Sequence, residues 1–133
     1  MTRLAIAALC AVPSLTACGP TADELRDQPP RFSVTIADYW ERVATCLTDA
    51  YSGGMLVPDN LHVAGQRRAE VYLQIRGHLG QVINVALFAI RGKGSEREST
   101  VTFRRRSPMI GSGSATETEA RERVERCKSV LRP

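Results

Sequence analysis

The residues of this chain with the clearest capacity for chemistry are its four cysteines, Cys10, Cys18, Cys46 and Cys127. A thiol can be oxidised to a disulfide, attack an electrophile, ligate a metal ion or carry a lipid. No two of the four form a Cys-x-x-Cys motif, which argues against a redox-active pair. The segments that surround each cysteine therefore decide its role.

The other residue types that carry catalysis or bind metals form no motif. The histidines, His62 and His78, have no second histidine or carboxylate at a ligand spacing such as His-x-x-x-His, so no metal site is predicted. There is no Gly-x-Ser-x-Gly nucleophile motif, and Gly111 to Ser114 lacks the lysine and the spacing of a phosphate-binding loop. We therefore predict a protein that is not an enzyme and that needs no cofactor.

The first 18 residues predict export. Arg3 supplies a positive charge, and an uninterrupted apolar run, Leu4 to Val12, follows it. The run is much shorter than the roughly 20 residues that cross a bilayer as a helix, but it has the length of the apolar part of a secretory signal. Soon after it comes Leu15-Thr16-Ala17-Cys18. This sequence resembles the lipobox of bacterial lipoproteins.

The resemblance implies cleavage before Cys18 and acylation of both its thiol and its new amino group. Several acyl chains, at about 0.8 kcal/mol per buried methylene, give a stable membrane anchor. In Gram-negative lipoproteins an Asp after the cysteine resembles an inner-membrane retention signal; Gly19 stands there instead, which favours the outer membrane, facing the periplasm. An ordinary secretory signal cut near Ala17 is the alternative. An exported protein is a poor candidate for binding nucleic acid.

The resemblance also leaves two cysteines for the mature chain. Cys10 would be removed with the signal and Cys18 would be acylated, so that Cys46 and Cys127 remain. An even pair in an oxidising compartment predicts a disulfide, with two free buried thiols as the alternative. The bridge would close a loop of about 80 residues, for which loop entropy predicts about 4 to 5 kcal/mol of stabilisation.

Each of these two cysteines lies in a predicted amphipathic helix. The first helix is predicted over Thr35 to Ala50, with Thr35 as the N-cap and Trp40 as a core anchor. The second begins after Thr116, which forms a capping-box pattern with Glu119. The apolar stripes are Ile36, Trp40, Val43 and Leu47 in the first helix, and Ala120, Val124, Cys127 and Leu131 in the second.

Between the helices, alternating apolar and polar residues predict strands at 68–76, 81–91 and 99–106. Met55 to Ala64, which Pro58-Asp59-Asn60 interrupts, is either a short strand pair or an irregular lead-in. We therefore predict an α+β fold: an antiparallel three- to four-stranded meander with an N-terminal and a C-terminal helix packed on one face.

Composition divides the chain into a signal peptide (1–17), a polar, proline-containing flexible tether (18–31) and a single α+β domain (32–133). Removal of the signal takes the formal charge from +4 to about +3. The charge is uneven, because Cys18 to Leu61 is acidic overall and His62 to Pro108 is basic. The basic segment gives a mild bias toward anionic partners.

Two groups of residues are candidates for a partner surface. The predicted central strand is apolar on both faces, so Phe88 and Ile90, with neighbouring Tyr72, form an exposed patch if the helices cover only one face. The alternative is that the N-terminal tether or Met55 to Leu61 covers them. Arg104 and Arg106 share one face of the last strand, where they would either meet an anionic partner or protect a sheet edge from aggregation.

These observations predict a non-enzymatic envelope lipoprotein, anchored to the membrane through Cys18. We expect it to bind another protein as an accessory component of an envelope assembly. The alternative is a periplasmic inhibitor or immunity protein of a cell-wall or lipid hydrolase.

Overall fold

The structure is a computed structural model that describes residues 21–63, 65–94, 97–106 and 116–132. It is an α+β fold with an antiparallel sheet, as predicted, and the sheet has five strands instead of three or four. The elements in chain order are α1 (Ala22–Asp27), β1 (Phe32–Ile36), α2 (Trp40–Tyr51), β2 (Val57–Val63), β3 (Arg68–Arg76), β4 (Val82–Gly92), β5 (Ser99–Arg105) and α3 (Glu117–Val130).

The strand order is β1-β5-β4-β3-β2, so that β2 to β5 form a meander and β1 pairs with β5 at the far edge. The first predicted helix begins later than expected because Phe32, Val34 and Ile36 alternate toward the core as strand β1. Thr35 therefore lies in a strand and is not an N-cap. Helix α2 has Tyr39 as its N-cap residue, and the carboxylate of Asp38 accepts a hydrogen bond from the Tyr39 amide at 2.8 Å.

Strand β2 runs through Pro58 without a turn, so the predicted interruption at Pro58-Asp59-Asn60 is wrong. Proline lacks the amide hydrogen that a central strand would need, but β2 is an edge strand and can accommodate it. The three central predicted strands agree with β3, β4 and β5 to within one residue at each end.

Helices α2 and α3 share one hydrophobic core with the sheet. Phe88 and Phe103 are its largest fully buried side chains, and Val43 and Leu47 of α2 and Val124 of α3 pack with them. Helix α3 begins as predicted: the Thr116 hydroxyl accepts a hydrogen bond from the Glu119 amide at 3.1 Å.

A disulfide joins α2 to α3 between Cys46 and Cys127, and the prediction of this bridge is confirmed. The two α-carbons are 5.9 Å apart, and the cysteines are separated by 81 positions in the sequence. The bridge forms because each cysteine lies on the side of its helix that faces the other helix.

The opposite face of the sheet is partly covered by α1, a helix in the segment predicted as a flexible tether. Leu25 is fully buried in a small second cluster with Tyr72 and Leu87. Thr21 and Glu24 form a reciprocal capping box that starts α1. The prediction of a flexible tether therefore does not hold for Ala22–Asp27, because Leu25 and the ion pair of Arg26 with Glu70 hold this helix on the sheet.

Trp40 is half-buried at the end of the sheet instead of lying in the core interior. Its indole crosses Gly92, where a β-carbon would come within 2.6 Å of the ring, and its edge meets the His62 ring at a centroid distance of 5.1 Å. Only glycine at position 92 permits this close approach.

Some predictions concern residues outside the described ranges: the signal peptide, the lipobox with Cys18, and the connection over 109–115. The helices in the described ranges include none with the length and hydrophobicity of a membrane span.

Candidate functional site

The predicted apolar patch does not form. Phe88 and Ile90 are fully buried beneath the helices, whereas Tyr72 lies on the opposite face and is buried by α1. The cause is the strand register: Tyr72 pairs with Leu87, so it shares a face with Leu87 and not with Phe88. None of the three side chains is available to a partner.

The two predicted basic residues lie in different environments. Arg104 is half-buried on the face of the sheet that carries α1, and its Nε donates a hydrogen bond to the Gln28 carbonyl at 3.0 Å. Arg106 is exposed just beyond β5. Arg104 pairs with Leu87 of β4 but lies one residue beyond the last β1–β5 pair, Phe32 with Phe103, so protection of a sheet edge stays a prediction for Arg104 and Arg106.

Beside α1, the same face contains a concavity of about 190 Å³, which we call the arginine pocket. Leu87 and Ala89 of the central strand β4 supply its apolar surface, and the polar groups come from four elements. These polar residues are Arg26, Arg68, Glu70, Arg91, Thr100, Thr102 and Arg104.

The strand register brings the pocket residues together. One cross-strand row contains Arg68, Arg91 and Thr100, and the next contains Glu70, Ala89 and Thr102. Residues in these rows lie directly opposite one another on neighbouring strands, about 4.5 to 5.5 Å apart at their β-carbons. The side chain of Ala89 is shorter than those around it, and the space above it forms the arginine pocket.

Glu70 is held by a buried polar network. Its carboxylate accepts hydrogen bonds from Arg26 Nε at 3.0 Å and Nη2 at 2.8 Å, and from the Tyr72 hydroxyl at 2.5 Å. Burial acts to raise the pKa of Glu70, but the hydrogen bonds from Arg26 and Tyr72 outweigh it and hold the pKa below its ordinary value. Burial and the bond to Glu70 raise the pKa of Tyr72.

Unlike Arg26, neither Arg68 nor Arg91 donates a hydrogen bond to a carboxylate among the described residues. The buried Nε of Arg68 has no hydrogen-bond partner among the described residues. Arg91 is exposed, and no described side chain forms an ion pair or a hydrogen bond with it. The pocket therefore carries four arginines against one carboxylate, and that carboxylate is already bound to Arg26 and Tyr72.

A second concavity, the helix groove, lies between α2 and α3 on the outer side of the molecule and measures about 600 Å³. Cys46 and Cys127 line it with Ala50, Leu131 and the strongly exposed Val130. Charged residues of both signs, Glu41, Arg42, Asp49 and Arg126, also line the groove.

No group of three or more histidine, cysteine, aspartate or glutamate side chains in the described ranges could hold a metal ion. His62 is exposed on β2 against Trp40, and His78 is exposed in the turn between β3 and β4.

The sequence places Arg68 and Arg91 in predicted strands of the basic segment but does not single out either residue. Apolar and polar residues alternate in both strands, so the face of the sheet on which each arginine lies could have been predicted. Which residues pair across the strands depends on the register. A scan against family models and searches of curated proteins and of solved structures found no match for this chain.

Proposed function

We propose that this chain is a non-enzymatic lipoprotein of the cell envelope, anchored through Cys18, that binds another protein as an accessory component of an envelope assembly. The observation that carries the proposal is the disulfide between Cys46 and Cys127. Disulfides form and persist in oxidising compartments and are rare in the cytosol. The bridge thus supports export, which the lipobox resemblance implies independently. The outer-membrane location in this proposal rests on Gly19 after Cys18.

The helix groove supports a protein as the partner. Protein interfaces commonly combine an apolar centre with a polar rim, and the groove combines exposed Val130 with charged residues on both helices. The bridge between Cys46 and Cys127 fixes the two walls relative to each other, so a partner would meet a preformed surface. A partner that presents an apolar segment flanked by charges of both signs suits this groove.

The proposal is tested by cross-linking affinity capture of the tagged full chain from its own envelope, with mass spectrometry of the captured proteins. The substitution Val130→Glu places a charge in the apolar part of the groove at an exposed position, and we expect it to reduce recovery of the partner at least about tenfold, as loss of an interface hot spot would. Val82→Glu, at an exposed valine that does not line the groove, is the matched control and should leave recovery unchanged.

Recovery of several membrane subunits would identify an assembly component. Recovery of one secreted hydrolase, which loses activity when mixed with the protein, would identify an inhibitor instead. Failure of the wild-type chain to retain any protein, or equal recovery with Val130→Glu, would contradict the proposed binding at the helix groove.

A further inference from the structure

We propose that the arginine pocket is a binding site for a phosphate group. The inference goes beyond the proposed function, since it assigns a small-ligand site on the face of the sheet that carries α1, whereas the helix groove lies on the other side. It rests on the charge balance of the pocket, on the pairing of two arginines within it, and on its shape.

The charge balance favours an anion. Arg26, Arg68, Arg91 and Arg104 line the pocket with a single acidic residue, Glu70, which leaves a formal balance of +3. Glu70 accepts hydrogen bonds from Arg26 and Tyr72, and its charge also attracts Arg68. Arg26 makes a second ion pair, with Asp23 outside the pocket at 2.6 Å. With Asp23 counted, four arginines face two carboxylates, so a formal balance of +2 remains.

The arrangement of Arg68 and Arg91 is itself unfavourable without a ligand. They are direct cross-strand partners in β3 and β4, and like charges in that position destabilise a sheet. Sheet-edge protection does not explain them, because β4 is the middle strand of five and β3 is also an interior strand. An anion between the two guanidinium groups would remove the repulsion and supply the missing partner of the Arg68 Nε.

The shape and the remaining donors favour phosphate over a carboxylate. A free phosphate or a phosphomonoester carries about −1.5 to −2 charges near neutral pH and offers three or more acceptor oxygens, so that it can bridge several arginines at once. A phosphodiester, as in a lipid headgroup, carries one charge and two unesterified oxygens, which can bridge Arg68 and Arg91. Thr100 and Thr102 add hydroxyl groups on the β5 side. The volume of about 190 Å³ exceeds that of a single water molecule several-fold, which leaves room for a phosphate group above Ala89.

The test is isothermal titration of inorganic phosphate into the full chain, purified in a non-ionic detergent and kept at constant ionic strength. We expect saturable binding of one phosphate per chain. Arg91→Ala should weaken it at least about tenfold, through loss of a charge-assisted hydrogen bond. Ala89→Leu, which fills the hollow without changing the charge, should weaken it by a similar factor, and its urea unfolding curve shows whether the fold is retained.

Arg76→Ala is the matched control, because Arg76 is exposed at the far end of β3, about 26 Å along the strand from Arg68. It should leave phosphate binding unchanged. The proposal would be overturned by the absence of saturable binding, by an equal loss in Arg76→Ala and Arg91→Ala, or by acetate binding as tightly as phosphate, which would indicate an acidic protein side chain as the ligand.

One further probe distinguishes the source of the phosphate group. If glycerophosphoglycerol, the deacylated headgroup of phosphatidylglycerol, binds more tightly than inorganic phosphate, the natural ligand is a lipid headgroup of the adjacent membrane. If inorganic phosphate binds more tightly, the ligand is a free phosphate or phosphomonoester. Either result supports a phosphate site, provided that Ala89→Leu weakens it.

Discussion

Removal of the disulfide between Cys46 and Cys127 is expected to lower the free energy of unfolding by about 4 to 5 kcal/mol. The bridge closes a loop across a sequence separation of 81, and a loop of this length restricts the unfolded chain strongly. The loss of stability should affect the whole domain, because the bridge joins α2, which follows the first strand, to α3, which follows the last strand. For a domain of this size the loss corresponds to a fall in Tm of roughly 15 to 20 °C.

Urea unfolding of the oxidised full chain, of Cys46→Ala and of the double variant Cys46→Ala/Cys127→Ala measures this effect. The single and double variants should be destabilised to nearly the same extent, because either change removes the same bridge. Reduced wild-type protein should resemble them. A Cys46→Ala variant as stable as the oxidised wild type would show that the bridge does not restrain this fold.

Leu25→Ala is expected to cost about 2 to 3 kcal/mol and to release α1 from the sheet. Leu25 is fully buried against Tyr72 and Leu87, and large-to-small changes at buried leucines cost about 2 to 5 kcal/mol. The value should lie at the low end because the cluster is small and peripheral. Amide hydrogen exchange of 21–28 should become fast while that of the central strands remains slow.

The matched control is Leu79→Ala, since Leu79 is 93% exposed and its loss should change stability by no more than about 0.5 kcal/mol.

The substitution Glu70→Gln tests the polar contacts that hold α1 on the sheet. Because the folded-state pKa of Glu70 is lowered, its stabilising contribution is present above the unfolded pKa and is lost as the pH falls through the folded pKa. The free energy of unfolding of Glu70→Gln should therefore fall less than that of the wild type as the pH is lowered. Protection of 21–28 that is unchanged in Leu25→Ala would contradict the docking.

The elements whose apolar residues follow a single spacing, that of a strand or that of a helix, were predictable from the sequence. Strands β3 to β5 show alternation, and α3 shows both a capping residue, Thr116, and a helical stripe. Strand β1 was missed because Ile36 fits two patterns: it follows Phe32 and Val34 at a spacing of two, and it precedes Trp40 at a helical spacing of four. Pairing with β5 decides between them, and this pairing is a long-range contact.

The candidate sites were less predictable because they depend on register. Near the turn, Gln74 pairs with Asn84, but an irregularity after Leu73 shifts the pairing so that Tyr72 lies opposite Leu87. Without this shift Tyr72 would pair with Ala86 and share the face of Phe88, as predicted for the apolar patch. A shift of one residue moves a side chain to the other face of a sheet. The pairing of Arg68 with Arg91 depends on the same shift.

Export and lipid anchoring at Cys18 can be tested by intact-mass and peptide mass spectrometry of the protein from membranes of its own host. We expect a chain that begins at Cys18, carries acyl chains on that residue and contains an oxidised Cys46–Cys127 pair, with Cys18→Ala released from the membrane fraction. An unacylated Cys18, or a Cys18→Ala variant that stays in the membrane fraction, would contradict it.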